Sequence, residues 1–283
     1  MLDFLLNPLQ YAFLVRALAA AVMVGIVCAV VGTYVVLRGM AFFGDALAHA
    51  ILPGIGVGYL VSGGVRDVLF WWALLAAIVS AVAIGVISRS TKMREDTAIG
   101  IIFAGMFALG IALISSVRNY AVDLSHFLFG DVLGVRGSDL WLIGIFSAIV
   151  ILVILLFYKE FLVLSFDPVL AATLRLPARF LDYLLMVLIA MTVVVSLQTV
   201  GVALMVAMLI TPSATAYLLT HRMPVMMVLS AGIAGLSGII GLYVSYYMGI
   251  ASGAAIVLCA TIIFILVWLG RTLFHRFFIK QER

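Results

Sequence analysis

The sequence predicts an all-α, polytopic membrane protein with about eight to nine transmembrane helices. Of its 283 residues, 66% are hydrophobic and only 10% are charged, whereas soluble domains carry about 25% charged residues. The mean hydropathy is +1.34, and the apolar residues gather in stretches of about 20 residues, the length that crosses the hydrocarbon core as a helix. This composition excludes a soluble globular domain.

Nine apolar segments follow one another along the chain. They cover residues 12–37, 41–62, 68–88, 97–117, 139–158, 181–197, 202–220, 224–247 and 251–270. We therefore interpret residues 1–283 as a single transmembrane domain. The segment 41–62 is the weakest of the nine. If it does not cross fully, the count is eight and the amino end lies on the other side of the membrane.

The distribution of basic residues predicts the orientation in the membrane. Cytoplasmic loops carry an excess of Lys and Arg. With nine spans and a cytoplasmic carboxyl end, only four of the 16 Lys and Arg residues, Arg16, Arg66, Arg118 and Arg136, lie outside, and the other twelve lie inside. The net charge of +4 is then explained by orientation, and a nucleic-acid partner is not expected.

The most informative polar residues are Asp45 and His49, near the start of the second apolar segment. A spacing of four residues places both side chains on one face of a helix, and ionisable residues within spans mark functional sites. A carboxylate oxygen with an imidazole nitrogen suits Mn²⁺, Zn²⁺ or Fe²⁺ and disfavours Cu⁺. Two ligands are too few, so we predict a half-site that a second copy completes across a twofold axis. The alternative is a structural hydrogen bond between two buried polar residues.

The longest predicted cytoplasmic loop, residues 159–180, contains a signal for a short helix. Asp167 can cap a helix that Pro168 begins and that ends before Pro177. A capped amphipathic helix on the cytoplasmic face suits docking onto a partner protein. A helix resting on the membrane surface is the alternative.

An external loop carries a second polar group, consisting of Asp123, His126 and Asp131. Acidic residues on the outer face can attract cations, so this loop is a candidate external entrance or docking surface. The alternative is a solvated loop with an incidental histidine.

Four sequence runs together closely resemble the membrane permease subunits of bacterial manganese, zinc and iron ABC importers. They are FGDALAHAILPG at 43–54, VDLSHFLFGDVL at 122–133, SFDP at 165–168, and the stretch from VG at 200–201 to TP at 211–212. The resemblance covers nearly the whole chain in the same order. It implies the ABC importer permease fold and a homodimer in the bacterial plasma membrane. It also implies two copies of a cytoplasmic ABC ATPase and an extracytoplasmic metal-binding protein.

The resemblance also assigns residues. It matches Asp45 and His49 to the metal-contacting Asp and His of the family. It places the coupling helix, the element that seats on the ATPase, near residues 167–176. The residues expected to couple to the ATPase are Phe166, Asp167, Pro168, Ala171 and Leu174.

The chain itself is not expected to be an enzyme. It contains no GxxxxGK phosphate-binding loop, so ATP would bind the partner subunit, and no covalently bound cofactor is expected. The transported ion is predicted to be Mn²⁺ or Zn²⁺. A site that accepts manganese binds zinc more tightly, so metal selection is assigned to the external binding protein, and the run 128–134 favours manganese.

The predicted function is that of a permease subunit that moves a divalent metal ion inward by alternating access, driven by ATP. Two other functions stay open. A proton-coupled secondary metal transporter would show inverted repeats, and we find no convincing repeat. An ABC permease for a metal chelate or a vitamin would share the architecture without needing Asp45 and His49.

Overall fold

The helices of this protein follow the apolar segments of its sequence. The computed structural model describes residues 7–91, 93–116 and 132–279, and within these ranges it contains helices and no strand. The helices are α1 Ala12–Leu37, α2 Ala41–Ala50, α3 Leu52–Ser62, α4 Arg66–Thr91, α5 Glu95–Ser115, α6 Gly137–Leu156, α7 Tyr158–Phe166, α8 Pro168–Thr173, α9 Ala178–Leu219, α10 Met223–Met248 and α11 Ser252–Ile279. The predicted all-α membrane class is confirmed.

Eight helical stretches in the described ranges are long and apolar enough to cross a membrane. One of them, Ala41–Ser62, consists of α2 and α3 joined at Ile51. Pro53 stands in the first turn of α3, where its missing N–H removes no hydrogen bond within that helix. The two helices together contain 22 residues, a length of about 33 Å. The weakest predicted segment is therefore long enough to cross.

Another of the eight stretches, α9, reverses direction. It contains 42 residues, and Gly201 within it has φ 79° and ψ 171°, far from helical values. Ser196 lies 3.3 Å from Cys28, measured between Oγ and Sγ, and Ser213 Oγ donates to the carbonyl oxygen of Ala29 at 2.9 Å. In a straight helix Ser196 and Ser213 would lie about 25 Å apart, yet they contact neighbouring residues of α1. The chain therefore turns back at Gly201.

The reversal divides α9 into a first limb, residues 178–200, and a second limb, residues 202–219. They correspond to the two segments predicted at 181–197 and 202–220. With each limb taken as one crossing, the described chain holds nine, within the predicted range of eight to nine.

Helix α1 lies at the centre of the bundle and packs closely on α9 and α10. Gly32 of α1 has no side chain where the backbone of the second limb passes, and a methyl group there would overlap the carbonyl oxygen of Leu209. Gly25 of α1 similarly lies against Ala234 of α10. Because lipid supplies no hydrophobic drive for helix association, small residues that allow close approach hold such bundles together.

Several basic residues meet at one end of the bundle, which we call the basic end. Arg38 and Arg89 both pair with Asp182 there, and Arg271 Nη1 donates to the carbonyl oxygen of Leu218 at 2.7 Å. The residues that define this end are Arg38, Arg89, Arg94, Asp182, Arg222 and Arg271. The five arginines of this end all belong to the twelve basic residues that the sequence predicts to be cytoplasmic.

Candidate metal site

Helix α2 presents Asp45 and His49 on adjacent turns of one face. The distance from Asp45 Oδ1 to His49 Nε2 is 3.8 Å, with 46% of the Asp45 side chain and 28% of the His49 side chain exposed. This separation is longer than a hydrogen bond. The two atoms face each other without the direct hydrogen bond that the structural alternative requires.

The separation of these two atoms suits a shared metal ion. Oxygen and nitrogen ligands lie about 2.0–2.2 Å from an ion such as Zn²⁺, so two ligands of one ion lie at most about 4.4 Å apart. A separation of 3.8 Å falls within that limit. One ion could contact Asp45 Oδ1 and His49 Nε2 without a rearrangement of α2.

Two phenylalanines of α5 fix the plane of the His49 ring. The imidazole meets Phe103 at 5.8 Å and Phe107 at 5.7 Å between ring centroids, both edge to face, and the two phenyl rings stack on each other at 5.7 Å. Edge-to-face contacts between aromatic rings are favourable. The aromatic wall therefore holds the imidazole with Nε2 towards Asp45.

The site is incomplete within one copy of the chain. No group of three or more His, Cys, Asp or Glu side chains comes together in the described part of the protein. His49 Nδ1 is buried and has no hydrogen-bond partner there, although a metal-binding histidine usually donates its second ring N–H to another group. The geometry provides two ligands and leaves the remaining ligands to be supplied from elsewhere.

The pair lies in the half of its span nearer the basic end. Helix α2 begins at Ala41, so Asp45 lies about 6 Å and His49 about 12 Å along a stretch of about 33 Å. An ion bound here must pass most of the bundle if it enters from the opposite end.

The predicted short helix of the long loop is present as α8. Asp167 caps it, since its Oδ1 accepts hydrogen bonds from the N–H groups of Val169 at 3.0 Å and Leu170 at 2.9 Å. The helix begins at Pro168 and ends at Thr173. The predicted cap and helix start are therefore confirmed, and the helix is shorter than the expected range of 167–176.

The outer surface of this loop is apolar. Phe166 is 58% exposed and Leu174 56% exposed, as expected for residues that contact a partner, whereas Ala171 is fully buried. Ala171 therefore packs against the protein instead of facing outward. Val169 and Leu170, which the sequence analysis did not single out, are also exposed and extend the apolar surface, which we call the coupling surface.

The candidate external entrance consists of three residues of the predicted loop between the fourth and fifth apolar segments. Asp123, His126 and Asp131 lie outside the described residues. Their role stays a prediction.

Sequence reasoning missed two groups of residues near the site. One is the aromatic wall of Phe103 and Phe107, whose spacing of four residues was a signal for a shared helix face. The other is the cluster of Asp182 with Arg38 and Arg89. Asp182 is a lone carboxylate at the start of the apolar segment 181–197. Its position was a signal, because a carboxylate there needs a partner.

Comparison with known proteins identifies the family. Residues 10–271 match the ABC 3 transport family. The manganese transport system membrane protein MntC of Listeria monocytogenes is 50% identical over 266 residues, covering 94% of this chain and 93% of the relative. A probable iron transport system membrane protein of Haemophilus influenzae is 38% identical over 266 residues, covering 94% and 96%. The solved structure of PsaBC from Streptococcus pneumoniae in complex with Fab has a TM-score of 0.81 and 38% identity, covering 94% of both chains. With its multi-pass helical fold, this chain therefore belongs to the ABC 3 transport family.

Proposed function

We propose that this chain is the transmembrane permease subunit of an ATP-driven importer of divalent metal ions, with Mn²⁺ as the cargo. The observation that carries the proposal is the Asp45 and His49 pair, 3.8 Å apart and partly exposed on a helix of a membrane-spanning stretch. The match to a manganese transport protein over 94% of the chain supports the choice of cargo.

Zinc is the second candidate cargo, because the same ligands bind Zn²⁺ more tightly than Mn²⁺. A carboxylate and an imidazole cannot by themselves reject zinc. We therefore assign metal selection to a separate extracytoplasmic binding protein that delivers the ion to the permease.

A second copy of the chain would complete the metal site. Two copies related by a twofold axis supply two carboxylates and two imidazoles, enough for a tetrahedral shell or a larger one. The side chain of Asp45 is 46% exposed, which leaves it open to such a partner. The incomplete coordination within one copy supports a homodimer with the site at or near its axis.

The coupling surface would bind a cytoplasmic ABC ATPase, one on each permease copy. Phe166, Val169 and Leu174 expose large apolar side chains beside the basic end, where the positive-inside tendency places the cytoplasm. This orientation also puts the carboxyl end in the cytoplasm. Apolar side chains on and beside a short, capped helix suit a groove on a partner protein better than open water.

In the proposed cycle the permease alternates between outward and inward access. The binding protein releases the ion at the outer face, and the paired Asp45 and His49 residues hold it while the outer path closes. ATP binding by the two ATPases moves α8 and reorients the helices, so that the ion leaves at the basic end. The chain supplies ligands and movement, and hydrolysis takes place on the ATPase.

Uptake by sealed vesicles tests this function. Vesicles that contain the chain with its ATPase and binding protein should accumulate Mn²⁺ only with ATP. Changing both Asp45→Ala and His49→Ala should lower the initial rate by at least about tenfold, because loss of even an outer-shell partner costs about 10–100-fold. Copurification with the ATPase should be unchanged.

A matched control is Asp67→Asn, since Asp67 is an exposed carboxylate near the end opposite the basic end, and it should retain uptake. Uptake that follows a proton gradient without ATP would contradict the proposal in favour of a secondary transporter. Uptake of a metal chelate or a vitamin that survives the double change would favour a different ABC permease.

A further inference from the structure

Arg38 lies in the turn between α1 and α2. Its Nη1 donates to Asp182 Oδ1 at 2.8 Å, and its Nε donates to Ser165 Oγ at 3.3 Å. Asp182 also pairs with Arg89 at the end of α4. Only 10% of the Arg38 side chain and 13% of the Asp182 side chain are exposed. A single guanidinium thus joins three parts of the fold in a largely buried cluster.

The positions of these partners connect the coupling helix with the metal site. Ser165 lies at the end of α7, two residues before Asp167, which caps α8. Asp182 lies in the second turn of α9, after the loop. Arg38 therefore holds both stems of the segment that carries the coupling surface. It also lies three residues before the start of α2 and seven residues before Asp45.

A second carboxylate, Glu95, lines the cavity beside the cluster. This cavity has a volume of about 570 Å³ and is lined by Arg38 and Asp182 as well. Arg38 Nη2 is buried and has no hydrogen-bond partner in the described chain. Burial lowers the pKa of the Arg38 guanidinium, and the charge of Glu95 opposes that change. The unused donor and the open volume give Arg38 room to change partners.

Stability alone does not account for such a cluster. Burying charges is costly, and replacing a buried ion pair by apolar residues is often neutral or stabilising. A buried ion pair can instead hold one of two arrangements of the helices. Coupling between distant sites needs such an element with two discrete states.

We infer that Arg38 is the positioning residue that transmits movement of the coupling helix to the metal-binding helix α2, by exchanging Asp182 for Glu95 between the two access states. This rests on the proposed function and specifies how it is coupled. When the ATPase shifts α8, the stems at Ser165 and Asp182 move relative to each other. Arg38 follows, and the short connection at Gly39 and Met40 carries the displacement into α2.

The experiment measures metal ions taken up per ATP hydrolysed in vesicles that contain the permease, the ATPase and the binding protein. Arg38→Gln and Asp182→Asn should retain ATPase copurification and ATP hydrolysis, while uptake per ATP falls about tenfold, within the usual range of coupling between sites. Uptake per ATP should fall similarly in Arg38→Lys, because the ammonium lacks the planar fork that reaches Ser165 and Asp182 together. Glu95→Gln should lower the same ratio by removing the second partner.

Arg94→Gln is the matched control, since Arg94 lies on the rim of the same cavity with 88% of its side chain exposed, and its ratio should not change. An unchanged ratio in Arg38→Gln would overturn the inference. The inference would also be overturned if copurification with the ATPase fell in proportion to uptake, because a purely structural role of Arg38 predicts that result. If Arg38→Gln does not fold, Ser165→Ala takes its place, because it removes only the contact from Arg38 Nε to Ser165 Oγ. Uptake per ATP should then fall in Ser165→Ala, and an unchanged value would overturn the inference. Failure of the unaltered permease to take up metal would instead reject the proposed function.

Discussion

Two side chains, Asp45 and His49, form the candidate metal site of this protein, and the geometry of that site depends on where their ligand atoms point. Both residues occupy one face of α2, which follows from their spacing alone. The direction of the His49 ring does not follow from spacing. It is set by Phe103 and Phe107, which meet the imidazole edge to face and leave Nε2 facing the carboxylate.

Removing part of this aromatic wall should weaken metal binding without removing a ligand. Phe103→Ala is expected to raise the metal concentration for half-maximal uptake about two- to tenfold, because such aromatic pairs contribute about 0.5–1.5 kcal/mol. The maximal rate should change less. Initial uptake rates over a range of Mn²⁺ concentrations measure this change.

The control is Phe13→Ala, because Phe13 is an exposed aromatic residue on the first turn of α1 and has no contact with His49. It should leave the half-maximal concentration unaltered. An equal effect in both variants would show that Phe103 acts through general stability and not through the orientation of His49.

Helix α9 is too long to be a single straight membrane crossing. A 42-residue helix would extend about 63 Å, twice the thickness of the hydrocarbon core. The reversal at Gly201 returns the chain to the basic end and lets both limbs pack against α1. Glycine is the residue that permits this turn, since φ 79° with ψ 171° lies in a region that other residues almost never adopt.

Gly201→Ala should therefore destabilise the protein by about 1–3 kcal/mol. Thermal unfolding of the purified protein in detergent measures the change as a lower midpoint. Gly100→Ala is the control, because a Cβ placed on Gly100 meets no described atom from outside the adjoining turns of its own helix within 4 Å and alanine is the better helix former. Equal midpoints for the two variants would contradict the role of Gly201 in the reversal.

The coupling surface is formed by the short helix α8 and the residues that flank it. Val169 and Leu174 expose 74% and 56% of their surface, so a charge at either position does not disturb the interior. Val169→Asp and Leu174→Asp should each abolish copurification with the ATPase while the permease stays folded, because a buried unpaired carboxylate is strongly unfavourable in an apolar interface.

Val65→Asp serves as the comparison for these two variants. Val65 is 54% exposed but lies between α3 and α4, at the end away from α8. It should copurify normally. Normal copurification of all three variants would place the ATPase on a different surface.

The assembled transporter should bind one metal ion for every two permease chains. Each copy provides Asp45 and His49, and the described residues bring no third His, Cys, Asp or Glu to them. If two copies share one ion, equilibrium binding to the purified permease and ATPase complex should saturate at about one Mn²⁺ per two permease chains. One tightly bound ion per chain, lost in Asp45→Ala, would show instead that a single copy is sufficient.

The sequence alone determined the membrane class, the positions of the helices and the shared face of Asp45 and His49. These are local properties. Hydrocarbon requires backbone groups to bond within their own segment, so long apolar runs must be helices, and the helical period of 3.6 residues places neighbours on a face. Asp167 capping a short helix was predictable for the same reason.

Which distant residues meet depends on the tertiary structure. The aromatic wall joins α2 with α5, and Arg38 joins the end of α1 with residues 165 and 182, pairs separated by 127 and 144 positions. The inward direction of Ala171 depends equally on neighbouring helices, whereas the break near Gly201 was already predicted between the segments 181–197 and 202–220. Such contacts follow from how whole helix surfaces fit together in space, a property that no short window of sequence contains.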